Sequence, residues 1–277
     1  MMRKGFAGIY FKHQAKGKSL ALIPGQAADG AFVQIVTEER AYHVPYPLTA
    51  YRERKDGLEI GGNQFTYAGV KLDIQSEELT LQGGIRYENL TPIRGDIMGP
   101  FRFFPMECRH GILSMRHSLQ GSLCLNGEVY HFDGGCGYIE SDSGRSFPRA
   151  YTWVQCNDFT RDCSIMAAVA KIPFCGFTFW GVISVVWLEG REYRLATYNG
   201  AKILRCEPGV LELSRGKWRL TVTSSVQEGH KLYAPCRGEM SYFIRENLSC
   251  SARFRFTVDG CVLFDEESAG ASYECEL

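Results

Sequence analysis

An excess of charge of either sign is what this sequence most plainly lacks: 31 basic and 31 acidic residues cancel, and no basic run exceeds a few residues. Sequence-independent nucleic-acid binding draws on concentrated positive charge, so nucleic acid is not expected as a partner. A long apolar run is missing too. The longest uncharged stretch, Ile172–Leu188, contains Pro173, Gly176, Thr178, Gly181 and Ser184 and falls short of the roughly 20 apolar residues of a membrane helix. The aromatic and β-branched content of Phe177–Trp187 fits buried strands instead. The charged start Met1–Lys4 is followed only by the short run Gly5–Phe11, too short for the apolar core of a secretory signal. The expectation is a soluble cytoplasmic protein with no transmembrane segment.

Eleven cysteines are present, but the number is odd and no Cys-x-x-Cys pair occurs. Cys124, Cys156, Cys163 and Cys250 lie in β-rich stretches, where a reduced thiol behaves as a small buried hydrophobe. Reduced cysteines are therefore expected, and the sequons at Asn89 and Asn247 carry no meaning in that compartment. No tight Cys/His cluster supports structural zinc, so no metal is expected. Nicotinamide, flavin and phosphate-loop motifs are also missing, so no cofactor is expected.

What remains is ordinary globular composition, 45% apolar and 22% charged, in a chain near the upper size for one core. Helical periodicity is scarce. Period-2 alternation punctuated by turn signals recurs instead, with hairpins expected at Phe65–Ile74 with Leu79–Tyr87, and at Leu113–Leu125 with Glu128–Phe132 through Asn126-Gly127. Further pairs flank Glu189-Gly190 (Trp180–Leu188 and Tyr193–Tyr198), Arg215-Gly216 (Leu211–Leu213 and Trp218–Val226) and Asp259-Gly260 (Phe254–Val258 and Val262–Phe264). This is an all-β pattern, a barrel or a sandwich. Two β units, 1–148 and 149–277, are expected to meet near the Ser141–Pro148 loop.

Residues 98–159 place polar groups where alternation predicts burial. In Leu113–Leu125 the odd positions are mostly apolar, so His117 points inward, either as a core histidine bonded to a backbone carbonyl or as an acid–base group in a pocket. Tyr138, Glu140 and Asp142 share one parity. A strand there sets two carboxylates beside a phenol, and their repulsion keeps a proton available near neutrality. The competing reading makes Asp142-Ser143-Gly144 a turn, with Asp142 bonding its own backbone. Tyr151, Trp153, Gln155 and Asn157 also share one parity, which fits either the wall of a ligand cavity or amides pairing to neighbouring strands.

The run Gly137-Tyr138-Ile139-Glu140-x-Asp142-x-Gly144-x-Ser146-Phe147-Pro148, followed by Trp153-x-Gln155-x-Asn157-x-Phe159, resembles the signature of the tocopherol cyclase-like family. Met98–Phe101, Met106-Glu107-Cys108 with His110-Gly111, and Gly5–Lys12 resemble its other blocks, in the same order. The resemblance implies a lipocalin-like antiparallel β-barrel architecture, with barrel units enclosing a pocket. It also implies an isomerase-type activity, the closing of a prenylated hydroquinone into a chromanol. In that chemistry Asp142 is the expected acid, Glu140 tunes it, and His117, Gln155 or Asn157 holds quinol oxygens. Tyr151 and Trp153 meet positive charge, and Tyr138 and Glu107 complete the binding set. A non-catalytic carrier of an isoprenoid or other hydrophobic ligand is the alternative. Ile9, Ser143 and Tyr151 stand where the family usually has Trp, and Ala7 near where it has an acid. Those departures bear on the particular substrate.

Overall fold

Turn chemistry divides the chain as its glycines and asparagines dictate. Asn126 and Gly127 take left-handed backbone, φ +52° and +86°, the conformation a two-residue hairpin requires. Glu189-Gly190 and Asp259-Gly260 do the same. The Arg215-Gly216 hairpin turns one residue later, because Arg215 pairs directly with Trp218. In this computed structural model residues 5–174, 176–225 and 229–277 are described. The start Met1–Lys4 and the end of the expected strand at Val226 lie outside them.

The described residues form 22 strands and three short 3-10 turns. The first sheet contains β1 (Phe6–Ala15), β2 (Lys18–Ala27), β3 (Gly30–Thr37), β4 (Ala41–Tyr46), β5 (Tyr51–Arg54), β6 (Gly57–Ile60), β7 (Asn63–Thr66), β8 (Gly69–Gln75), β9 (Thr80–Glu88), β10 (Cys108–Leu125), β11 (Glu128–His131) and β12 (Cys136–Gly144). Its order is β4-β3-β2-β1-β12-β10-β9-β8-β7-β6-β5, with β11 beside β10. The second sheet contains β13 (Tyr151–Cys156), β14 (Cys163–Phe174), β15 (Phe177–Leu188), β16 (Arg191–Ala196), β17 (Lys202–Glu207), β18 (Val210–Arg215), β19 (Trp218–Ser224), β20 (His230–Cys236), β21 (Glu239–Val258) and β22 (Cys261–Glu276). Its order is β16-β15-β14-β13-β22-β21-β19-β18-β17, with β20 beside β21. Neighbours pair antiparallel in the registers β1–β2, β1–β12, β13–β14 and β13–β22. Both paths run open from edge to edge, so closure into a barrel is not part of the described pairing.

Several strands differ from the sequence expectation, and β21 and β22 are much longer than the expected Phe254–Val258 and Val262–Phe264. The expected strand Phe65–Ile74 is split by a turn at Tyr67-Ala68 into β7 and β8. The strand expected from Leu113 begins five residues earlier, at Cys108. Where β9 pairs with β10, two glycines take a backbone conformation that turns a Cβ into the neighbouring strand. A Cβ on Gly83 (φ +129°) would lie 2.4 Å from the Ser122 carbonyl, and one on Gly121 (φ +123°) 2.2 Å from that of Gly84, so glycine is required at both positions.

Residues 1–92, 110–147 and 232–243 make one unit, and 93–109, 148–231 and 244–277 the other. The core of the first includes Phe11, Leu22, Phe65, Tyr87, Leu119, Phe132 and Ile139. That of the second includes Val154, Ile165, Val186, Leu220, Phe254 and Phe264. No disulfide joins any two of the ten described cysteines. No described helix is long and apolar enough to cross a membrane.

Candidate active site

In β12, side chains alternate between two environments. Ile139 enters the core of the first unit, so Tyr138, Glu140 and Asp142 point to the opposite face. Asp142 is therefore part of a strand, paired with Gly8 of β1. On the same face, Tyr10 of β1 opposes Glu140 and Lys12 opposes Tyr138. All four of these side chains are buried, which is unusual for the face of a sheet turned from its core.

The chemistry of this face converges on His110, from β10. Its Nε2 lies 3.3 Å from Oε2 of Glu140, an ion pair and not an aligned hydrogen bond. Its Nδ1 bonds Oδ1 of Asp142 at 3.1 Å. The hydroxyl of Tyr138 donates to the same Oε2 of Glu140 at 2.6 Å. Burial pulls the His110 pKa down, but the charges of Asp142 and Glu140 more than reverse this and hold it well above the ordinary imidazole value. Burial, and then the charge of Glu140, raises the Tyr138 phenol well above its usual range. The side chains run phenol, carboxyl, imidazole, carboxyl in a row, with the Tyr138 phenol and the His110 imidazole both held toward their protonated forms.

The row has one reachable end. The His110 and Glu140 side chains are 11% and 7% exposed, while that of Asp142 is 22% exposed. A proton held by the pair can shift along the His110–Asp142 bond and leave through Asp142. Atoms of His110, Glu140 and Asp142 also lie within 4.8 Å of one another, a spacing that a divalent cation could use. A cation would displace the imidazolium proton, so the two uses exclude each other.

The other expected site residues lie elsewhere. His117 points to the core side. Its Nδ1 meets Ser114 Oγ at 3.2 Å, its ring packs 4.6 Å from that of Tyr87, and a Cβ on Gly137 would lie 2.2 Å from its Nε2. Burial drops its pKa to about 3. It is thus on the opposite face of the sheet from Glu140 and Asp142, and its polar neighbour is a serine and not the expected carbonyl. Glu107 is exposed, in the segment before β10. Tyr151, Trp153 and Gln155 occupy one face of β13 and Asn157 follows it, all within the second unit and all buried. The opposite face sends Val154 and Cys156 into that unit's core. Trp153 pairs with Ala168 on one side and Glu274 on the other, and the Tyr151 hydroxyl donates to Glu274 Oε2 at 2.5 Å. A cleft of about 690 Å³ in the first unit, lined by Val70, Leu72, Arg86 and Gln120 among others, includes none of these residues.

His110, Lys12 and Glu274 were not among the expected site residues. Lys12 and His110 stood inside the motif blocks, and a lysine in the buried run of β1 is the signal that marks Lys12.

A family model described as tocopherol cyclase-like matches residues 93–275. The chain belongs to the tocopherol cyclase-like family. That match spans the strands carrying His110, Glu140 and Asp142 and the whole Trp153–Asn157 block. Solved structures similar to this family member include kievitone hydratase from Nectria haematococca, at 12% identity and TM-score 0.57, covering 98% of this chain and 88% of that one. Another is a putative AttH from Nitrosomonas europaea, at 12% identity and TM-score 0.52, covering 98% and 91%. At that identity the likeness bears on the fold. No curated protein matches the sequence significantly.

Proposed function

We propose that this protein is an acid–base enzyme that protonates a carbon–carbon double bond of an apolar small molecule and lets an oxygen nucleophile capture the cation. The observation that carries the reading is the buried His110 held between Glu140 and Asp142. Asp142 delivers the proton, His110 recharges it, Glu140 fixes the far nitrogen, and Tyr138 fixes Glu140. The new C–H bond forms as the π bond breaks, and a new C–O bond quenches the tertiary cation as the nucleophile releases its proton. The step is redox-neutral and balanced with the protein's own groups. In a prenylated quinol the nucleophile is the substrate's phenol and the product a chromanol. With water as nucleophile the same step is a hydration, the reaction named for the similar kievitone hydratase. Within the second unit by itself, the buried aromatic and amide face of Trp153 and Gln155 supports binding of an apolar molecule. The glycines Gly83 and Gly121 support lipocalin-like curvature of the first sheet, and described cysteines joined by no disulfide support a reducing, cytoplasmic setting.

The test is turnover of a synthetic prenylated hydroquinone in heavy water. The wild type should place solvent deuterium at the former alkene carbon. Asp142→Asn should lower the rate by about 10²–10⁴-fold in protein that stays folded by circular dichroism at the assay temperature. Its rate staying intact would remove the assignment. Tight binding without conversion would support the carrier reading, and activity abolished by chelator and restored by a divalent cation would replace the proton relay with a metal site.

A further inference from the structure

An exposed aromatic surface in the second unit is used by none of the chemistry above. At the closed end of the β14–β15 hairpin, Phe174, Phe177 and Phe179 form a ring cluster: Phe174 meets Phe177 edge-on at 5.8 Å and Phe179 at 6.3 Å. The 3-10 turn Gly99–Phe103 packs on it, with Phe101 stacked on Phe179 at 5.9 Å and Phe104 edge-on to Phe174 at 5.4 Å. Beyond these half-covered rings stand Phe103, 75% exposed, Phe177, 57%, and Trp180, 45%. Large exposed apolar rings in one patch mark an interaction surface.

The platform under them is built to hold shape. Arg194 of β16 donates to the carbonyls of Arg94 and Asp96, and the Arg94 amide donates to Glu192. Gly99 turns with φ +54°, and a Cβ there would lie 2.7 Å from the Tyr198 ring. The rings are therefore presented outward by a fastened segment.

Two features select the partner. The hairpin end carries aromatic rings on both faces: Phe174, Phe177 and Phe179 share one, while Trp180 stands opposite Lys171 on the reverse, beside Pro173 and Thr178. A protein partner docking on a sheet covers one face, whereas a tip aromatic on both is surrounded when it enters lipid. Charge agrees. Between Met98 and Met106 and between Ala170 and Gly181 the only charged residues are Arg102 and Lys171, both basic. Both are exposed, and the Arg102 guanidinium lies 4.6 Å over the Phe103 ring. Aromatic rings with cations beside them suit the headgroup boundary of an anionic bilayer.

We propose that this aromatic tip docks the protein on the surface of anionic membranes, inserting Phe103 and Phe177 with Arg102 and Lys171 at headgroup level. The inference stands apart from the acid cluster. The experiment is flotation of the full chain with phosphatidylcholine vesicles and with vesicles containing 30% phosphatidylglycerol. Co-flotation with the anionic vesicles, weakened by salt, is the expected result. Phe103→Ser/Phe177→Ser should lower that binding at least tenfold at unchanged circular dichroism, and Arg102→Gln/Lys171→Gln should bring it to the level on neutral vesicles. Neither vesicle binding the wild type would overturn the proposal, as would binding untouched by the Phe103→Ser/Phe177→Ser variant. Self-association lost in that variant, without vesicle binding, would also overturn it and reassign the tip to a second copy.

Discussion

At the residue scale, the protein places one imidazolium between two carboxylates and covers most of the three. Removing one partner of a buried charge cluster costs more than the cluster contributes, because the remaining charges stay desolvated. His110→Gln should destabilise the fold by on the order of 2–4 kcal/mol in urea unfolding at pH 7, and His110→Gln/Glu140→Gln should recover part of that loss. In the wild type the rate should hold until pH rises well above the ordinary imidazole value, because the carboxylates keep the His110 proton. His110→Gln should abolish that alkaline limb, and an unchanged pH–rate profile would break the relay. Asp142 and Glu140 were legible in the sequence because three residues of one parity put their side chains on one face. His110 was not. From Met115 onward the odd positions of β10 are the buried ones, but Ile112 and Ser114 are buried before it. The alternation slips there, as Met115 and Arg116 exchange backbone hydrogen bonds with Thr91. Counting from Leu113 therefore gives no parity for His110.

At the element scale, the hairpins were readable wherever one local signal decides them. Asn126 shows how much one turn residue does. It takes the left-handed conformation, its Oδ1 accepts from the Thr80 amide and its Nδ2 donates to the Tyr42 hydroxyl. Asn126→Ala should cost about 1–2 kcal/mol in chemical denaturation, and an effect near zero would show that the turn tolerates any residue. The long strands were harder to read. In β21 the buried positions run through Ile244, Glu246, Leu248, Cys250, Ala252, Phe254 and Phe256. An acidic residue on the buried parity hides an otherwise regular alternation, so only Phe254–Val258 was read as a strand. Ala7 and Ser143 are directly opposed across β1 and β12, on the face away from Asp142, a neighbourhood that only the register reveals.

At the scale of the whole molecule, the grouping of residues 93–109 and 232–243 away from their chain neighbours left no local mark, since only long-range contacts define it. Long-range packing also sets the response to acid. The His13 Nε2 meets the Tyr87 hydroxyl at 2.5 Å and its Nδ1 meets the Leu20 carbonyl at 3.1 Å, deep in the first unit's core. Burial lowers its pKa to about 4 and that of His117 to about 3. Both are neutral when folded and take up a proton near 6.5 when unfolded. Their contribution is fully present above pH 6.5 and lost as pH falls toward the folded values, on the order of 3 kcal/mol each by pH 4. His110 has the opposite sign: its raised pKa adds stability that is intact below pH 6.5 and lost as pH rises from there through the folded value, so it does not mask the acid loss. Between pH 6.5 and 5, above most carboxylate titration, urea stability should fall, and His117→Leu should reduce the slope by about one proton, about 1.4 kcal/mol per pH unit. Equal slopes in the two proteins would mean that His117 reaches solvent and is already protonated in the folded state.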